Sequence, residues 1–226
     1  MRIRPSKCPA ICGAFVYLMN SYNIKGLVLK STNYKDTDKI YSLLCYKLGK
    51  INVLGKGVRK ISSRRAGNLD TLNIIEGRIN EGRGGIKIIE EAKAIDTFKS
   101  IKKEYRLVTN AYYLVELVYR NIEDENETDE VLDALIKCLK ILSKGITYPS
   151  IAVNYFELLF LKYLGYEYPA DKIYENNDVV GNIRKLQNNK IPKDLSKEEA
   201  VKLDKIIKNF LYRHLDAKFK SLELIY

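Results

Sequence analysis

The sequence predicts an α+β protein in which a five-stranded N-terminal barrel of the OB-fold type precedes an all-helical domain. Three observations carry this expectation. Five short apolar runs, separated by glycine or charged turns, lie between Asn23 and Asp96. After Asp96 the hydrophobic period lengthens to that of an α-helix. The charge divides at the same place: residues 19–95 hold 15 basic and 7 acidic side chains, whereas residues 96–226 hold 21 of each.

The apolar runs are IKGLVLKS, KIYSLLCY, INVLGKG, TLNIIEGRI and GIKIIEEA. Their lengths and the short connections between them suit an antiparallel barrel rather than alternating βαβ units. EGRGG, Glu81 to Gly85, reads as a hairpin turn and not as a phosphate-binding fingerprint. The expected organisation is an extension over 1–21, a barrel over 22–96 and helices over 97–226. In the extension, Arg2, Arg4 and Lys7 precede an apolar run from Ile11 to Met19. That run lacks the small-residue cleavage site of a secretory signal, so Met19 is read as the natural start.

In the second half, Leu107, Ala111, Leu114 and Val118 share one helical face, and Leu132, Leu135, Leu139 and Leu142 share another. Glu123 to Glu130 between them reads as a solvated acidic loop leading into a helix N-terminus. Gly145 is placed to end the second helix and Pro149 to open the third. That third helix, about Ser150 to Leu164, is apolar nearly all round and is expected at the centre of the core. Ser196 with Glu199 has capping-box spacing and starts a last helix striped with Leu203, Ile207 and Phe210. The stretch from Tyr168 to Pro192 reads as polar and irregular.

A chain of 226 residues that is 46% hydrophobic can bury one substantial core or two small ones. Its best membrane candidate, Val153 to Leu161, ends at Lys162, far short of the roughly 20 residues a bilayer requires. A soluble, cytoplasmic protein is expected. Cys8, Cys12, Cys45 and Cys138 are too few and too scattered for a disulfide framework. Cys8 and Cys12 are spaced like half a metal site, but no second pair follows and the only histidine, His214, is far away, so no zinc is expected from them. His214 falls beside the apolar stripe of the last helix, where packing explains it.

The formal charge of +11 concerns partners rather than fold. Its excess lies in the barrel half, which points to a polyanion bound there. Lys47 to Leu69 holds seven basic residues and no acidic one. Lys56, Arg59, Lys60, Arg64 and Arg65 occupy the glycine-punctuated connection after the third strand, and Ser62 and Ser63 add hydroxyls suited to phosphate. Lys30, Lys35, Lys39 and Lys50 complete the candidate DNA-binding set. The alternative for the loop is a solvated basic segment without a ligand. Tyr22, Tyr34, Tyr41 and Tyr46 lie in or near the barrel and are candidates for stacking on unpaired bases, or else for packing at its boundary. No P-loop, nucleophile elbow, paired cysteine motif or acidic metal cluster is present, so the sequence reads as non-enzymatic and without a cofactor.

Several segments together resemble one family. Gly26 to Arg64 resembles the N-terminal barrel of RecO: an apolar first strand, a charged turn leading to Asp38-Lys39-Ile40, the Gly49-Lys50 turn, then Lys56 to Lys60 with serine and arginine following. Ala111 to Ile122, Asn154 to Tyr166 and Phe210 to Ile225 are similar to the family's first long helix, central helix and closing segment. The resemblance covers about residues 22 to 226 and implies a recombination mediator. Such a protein binds single- and double-stranded DNA, anneals complementary strands, recognises the C-terminal tail of the single-strand binding protein through its helical domain, and works with RecR to help RecA load. Many members hold zinc with two cysteine pairs after the central helix. The first pair would fall near Ile173 and Asn176 here, so the zinc module is expected to be absent. Two other readings stay open: an OB-fold module for ribosomal or transfer RNA, and an interaction scaffold whose charge aids solubility.

Overall fold

Strand β1 (Ser21–Tyr34) runs for 14 residues and serves two neighbours. Its first half pairs with β4 (Ile74–Glu81) and its second half with β2 (Asp38–Cys45). A bulge between Val28 and Lys30 bends it from one partner to the other. Gly26 lies where β2 crowds the strand: a Cβ there would stand 2.3 Å from the Leu44 carbonyl oxygen. β3 (Gly49–Gly55) continues the meander, and β5 (Lys87–Asp96) pairs antiparallel with β4 and parallel with β3. The result is a closed barrel in the order β1-β2-β3-β5-β4, the five-stranded OB topology. The glycine turn between β4 and β5 has Gly84 and Gly85 at positive φ and makes the expected hairpin.

The structure, a computed structural model, describes residues 21–60, 63, 65–170, 178–192 and 194–215. The expectations placed on 1–20, Ser62, Arg64, Ile173, Asn176 and the segment beyond Leu215 lie outside these residues.

Alternation along the strands sends Val28, Leu43, Ile51, Ile75, Ile79 and Ile89 into the barrel interior, where Val58 and Leu69 of the β3–β4 connection join them. Leu27 and Leu29 of β1, Leu44 of β2 and Ile74 of β4 face the other way and merge with the helical core through Phe98, Ile101, Leu107 and Leu114. The barrel is thus packed on both sides of β1.

Among the described residues six helices follow: α1 (Lys99–Lys103), α2 (Tyr105–Asn121), α3 (Asp129–Ser143), α4 (Pro149–Tyr163), α5 (Asp178–Gln187) and α6 (Lys197–His214). The apolar faces read from the sequence are buried in α2 and α3. Gly145, at φ +79°, donates its amide to the Leu142 carbonyl just past α3. Pro149 is in the first turn of α4, and Ser196 and Glu199 form the reciprocal capping box of α6. α4 is central because two cores meet on it: Ala152, Val153 and Phe156 face the barrel-side core, whereas Ile151, Tyr155 and Leu158 face α5 and α6. The stretch expected to be irregular contains α5. Its Val179, Val180, Ile183 and Leu186 are buried at helical spacing within a polar composition, which is why hydropathy alone hides it.

Apolar α4 also carries two fully buried polar residues, Asn154 and Glu157. Tyr113 of α2 donates its hydroxyl to Glu157 Oε1 at 2.5 Å. The Asn154 amide, turned so that its nitrogen faces acceptors, donates to Glu157 Oε2 at 3.1 Å and to Asp204 Oδ1 at 2.9 Å. Asp204 in turn pairs with Lys208 at 2.9 Å, so the network ties α2, α4 and α6 together. Burial pushes the Glu157 carboxyl up to about 7; Asp204 acts the same way, and the Tyr113 hydroxyl and Lys208 oppose it. An acid raised in this way contributes stability that is complete below its unfolded value and lost as pH rises through its folded value. The melting temperature is therefore expected to fall between about pH 5 and about pH 8, with up to about 3 kcal/mol from this group. Glu157→Gln, which keeps an acceptor for Tyr113 but cannot titrate, is expected to flatten that part of the profile. A difference between wild type and variant that stays constant with pH in a thermal-shift series would contradict the assignment.

Candidate nucleic-acid interface

Residues 35–37 connect β1 to β2 in a tight turn, with Tyr34 paired to Asp38 at its base and Lys35 at φ +52°. The connection from β3 to β4 starts at Lys56 and turns at Gly57, φ +66°. Three hydrogen bonds stitch the two segments. The Gly57 amide donates to Asp38 Oδ1 at 2.8 Å, the Arg59 amide to the Thr37 carbonyl at 2.9 Å, and Arg59 Nη1 to the Lys35 carbonyl at 3.2 Å. The Thr37 hydroxyl also donates to Asp38 Oδ1, at 3.0 Å. The Gly57 amide holds the Asp38 carboxyl below its ordinary value; the Thr37 hydroxyl and the charges of Lys35 and Lys56 act the same way, against partial desolvation.

This stitching brings Lys35, Lys39, Lys56, Arg59 and Lys60 to one end of the barrel. Lys35, Lys56, Arg59 and Lys60 are exposed, and Lys39 is half-buried beside them, paired in register with Gly55 and Asn33. Among the described residues none of the five has a carboxylate within ion-pair distance. Of the four candidate tyrosines only Tyr34 joins them, 40% exposed, with Lys35 Nζ 5.3 Å from its ring centroid. Tyr41 is buried in the barrel, Tyr46 donates its hydroxyl to Asp133 of α3 at 2.6 Å, and Tyr22 packs half-buried against the barrel core.

Two of the candidate cations do different work. Lys50, its side chain only 12% exposed, donates to the carbonyls of Tyr119 (3.0 Å) and Ile122 and pairs with Asp124 at 3.2 Å. Arg65 donates through Nη1 to the carbonyls of Ile89 (2.8 Å) and Glu90 (3.1 Å) and through Nη2 to that of Lys56 (2.8 Å). Hydrogen bonds from a charged donor contribute about 1.5–3 kcal/mol each, so both side chains are committed to holding the fold. Lys30 is exposed, further back along β1, with Nζ 4.6 Å from the Tyr119 ring centroid. A contact of that kind is worth only about 0.5–1 kcal/mol at an exposed site and leaves Lys30 able to meet a phosphate.

The acidic stretch after α2 is not a merely solvated loop. Asp124 accepts from Asn52 Nδ2 at 3.0 Å as well as pairing with Lys50, Glu125 pairs with Lys87, and the Glu125 amide donates to the Lys50 carbonyl at 2.9 Å. Two acids of the stretch, Asp124 and Glu125, thus meet cations of β3 and β5. Gly49, at φ +64°, lets it approach: a Cβ there would overlap the Asn126 carbonyl. His214 is a packing residue, its ring 4.4 Å from Phe210 and 4.7 Å from Tyr166 by centroids, with Nδ1 2.8 Å from the Phe210 carbonyl oxygen.

The described residues do not fit zinc. No His, Cys, Asp or Glu cluster among them could hold a metal ion. Cys45 and Cys138 are buried in separate cores, burial pushes both thiols up (Cys45 to about 12), and Cys138 donates to the Ala152 carbonyl. Among the described residues no helix is long and apolar enough to cross a membrane.

A closed OB barrel joined to a helical bundle, with a group of exposed cations at one end and no metal-holding cluster among the described residues, defines the class: an OB-fold protein with a basic surface at one end of its barrel. Residues 19–98 match the family described as recombination protein O N terminal, and residues 103–174 match recombination protein O C terminal. The chain belongs to this RecO family. It is 32% identical over 148 residues to the DNA repair protein RecO of Caldicellulosiruptor bescii, covering 66% of this chain and 60% of that protein. To the protein of the same name from Clostridium novyi it is 29% identical over 154 residues, 68% and 60% of the two chains. The matches thus span about 60% of the length of these relatives.

Lys50→Ala and Arg65→Ala are each expected to lower stability by about 2–4 kcal/mol, since each strips several carbonyls of a charged donor. Lys56→Ala and Lys60→Ala are expected to stay within about 0.5 kcal/mol of wild type. Urea unfolding of the four variants checks the division. Equal stabilities would mean that Lys50 and Arg65 are as free as the others.

Proposed function

We propose that this chain is a DNA-binding recombination mediator that anneals complementary strands and, with RecR, assists loading of RecA during DNA repair. The observation that carries this reading is the group of Lys35, Lys39, Lys56, Arg59 and Lys60 at one end of an OB barrel in a member of the RecO family. Cations without carboxylate partners release counterions when they meet phosphates, and this gives affinity for a nucleic-acid backbone without reading its sequence. Positive charge held between two strands also lowers their mutual repulsion, which favours annealing. Tyr34 adds one exposed ring on which an unpaired base can stack. Nothing in this mode of action requires turnover. The helical domain is the part that the family assigns to the tail of the single-strand binding protein.

Binding to DNA is expected to be indifferent to sequence and to weaken steeply with salt. Replacing Lys35, Lys56, Arg59 and Lys60 with alanine is expected to leave the fold intact and to reduce the slope of log affinity against log salt by about 3, at ~0.7 per single-strand and ~0.9 per duplex contact. Fluorescence anisotropy with single-stranded DNA, duplex DNA and a structured RNA as competitors measures both. An unchanged slope would remove these residues from the binding surface, and a strong preference for the RNA would replace the DNA reading.

A further inference from the structure

The basic end of the barrel holds two acids, Asp36, exposed in the β1–β2 turn, and Asp38, and the place of the second is unexpected. Asp38 lies among Lys35, Lys39 and Lys56, where a carboxylate repels an approaching phosphate. By charge alone it opposes the activity proposed above. Its geometry shows another role. Asp38 Oδ1 is the shared acceptor for the Gly57 amide at 2.8 Å and the Thr37 hydroxyl at 3.0 Å, so one oxygen fixes the start of the β3–β4 connection to the β1–β2 turn. The link is reinforced by two further bonds from Arg59, amide to Thr37 carbonyl and guanidinium to Lys35 carbonyl. Gly57, at φ +66°, is the residue at which the connection turns, and the Lys60 amide donates back to its carbonyl at 3.2 Å. Without the Asp38 acceptor the Gly57 amide loses its partner at the point that sets where Lys56, Arg59 and Lys60 project.

We propose that Asp38 is the positioning residue of the nucleic-acid surface: its carboxylate oxygen holds the cationic loop against the β1–β2 turn so that the two segments meet a phosphate backbone as one rigid surface. The role rests on the DNA-binding reading above. Asp38 touches no nucleic acid itself; it acts through Gly57 and through the loop that Gly57 begins. An exposed loop with free cations still attracts a polyanion, but it must order those side chains on binding, and the cost of ordering subtracts from affinity.

Two substitutions separate this role from simple charge. Asp38→Ala and Asp38→Asn both delete the negative charge, but only asparagine retains an oxygen that accepts from Gly57. If charge alone mattered, both variants would bind single-stranded DNA more tightly than wild type, and to the same degree. The positioning role requires Asp38→Ala to bind more weakly despite its added net charge. The loss expected for one misplaced phosphate contact is about five- to eightfold near 0.1 M salt, with the salt slope lowered by about 0.7–0.9. Asp38→Asn is expected to regain wild-type affinity or exceed it. A global loss of stability would not lower the salt slope of the folded fraction, and a melting curve for each variant shows that binding is measured on folded protein. Asp38→Ala binding as tightly as wild type, or equal affinities for the two variants, would overturn the proposal. The Lys56→Ala/Arg59→Ala/Lys60→Ala triple variant is titrated alongside. If it binds like wild type, the DNA-binding reading of this surface fails and the role of Asp38 falls with it. If it loses binding while Asp38→Ala does not, only the positioning role is overturned.

Discussion

Everything else in the structure depends on β1 being buried on both faces. From Gly26 to Leu29 four consecutive residues are buried, which a strand on the outside of a small barrel does not require. Val28 fills the barrel interior while Leu27 and Leu29 enter the helical core. One strand therefore closes the barrel and anchors the bundle, and the two halves share a boundary that neither could leave exposed without presenting apolar surface to water. The bulge before Lys30 is where this double burial ends. Beyond it β1 runs out to the exposed turn that carries Lys35.

That arrangement decides which barrel cations are available to a ligand. On the sides of the barrel, charges meet acids from neighbouring strands or from the helical domain: Lys25 with Glu76, Arg78 with Glu91, Lys50 with Asp124, Lys87 with Glu125, and Lys102 of α1 with Asp70. The two pairs exposed on both sides, Lys25 with Glu76 and Arg78 with Glu91, add little stability individually, but all five neutralise the surface on which they lie. The acidic stretch after α2 is central to this, because it lies along β3 and β5. Among the described residues, exposed barrel cations with no carboxylate within ion-pair distance are left at Lys30, Lys47 and Lys93 and, as a group of neighbours, at the end where the β1–β2 turn and the β3–β4 connection join. The densest group of such cations is at that end, an arrangement suited to steering a polyanion.

Much of the fold could be read from the sequence because each cue was local. Period-two runs between glycine turns gave five strands, and the Ser196–Glu199 spacing gave a cap that both side chains complete. α5 escaped because four apolar residues at helical spacing are diluted by Asn182, Arg184 and Lys185. The site was legible as a charge density but not as an arrangement. Lys50 and Lys56 are six residues apart in one basic run, yet the first grips helical carbonyls and the second is exposed; only the path of a distant segment distinguishes them. Asp38 and Glu157 were missed for related reasons. An acid in a cationic surface, and an acid in an apolar helix, each gain their meaning from partners 19 and 44 residues away in sequence.

The central claim is that nucleic acid meets the protein where the β1–β2 turn and the β3–β4 connection join. Hydrogen–deuterium exchange of the full chain with and without a single-stranded oligonucleotide tests it most directly, because it maps contact without altering any charge. Protection is expected in peptides spanning Tyr34 to Lys39 and Lys56 to Lys60, with the helices α3 to α6 unchanged. Protection confined to those helices, with both barrel segments exchanging as in the free protein, would contradict the account.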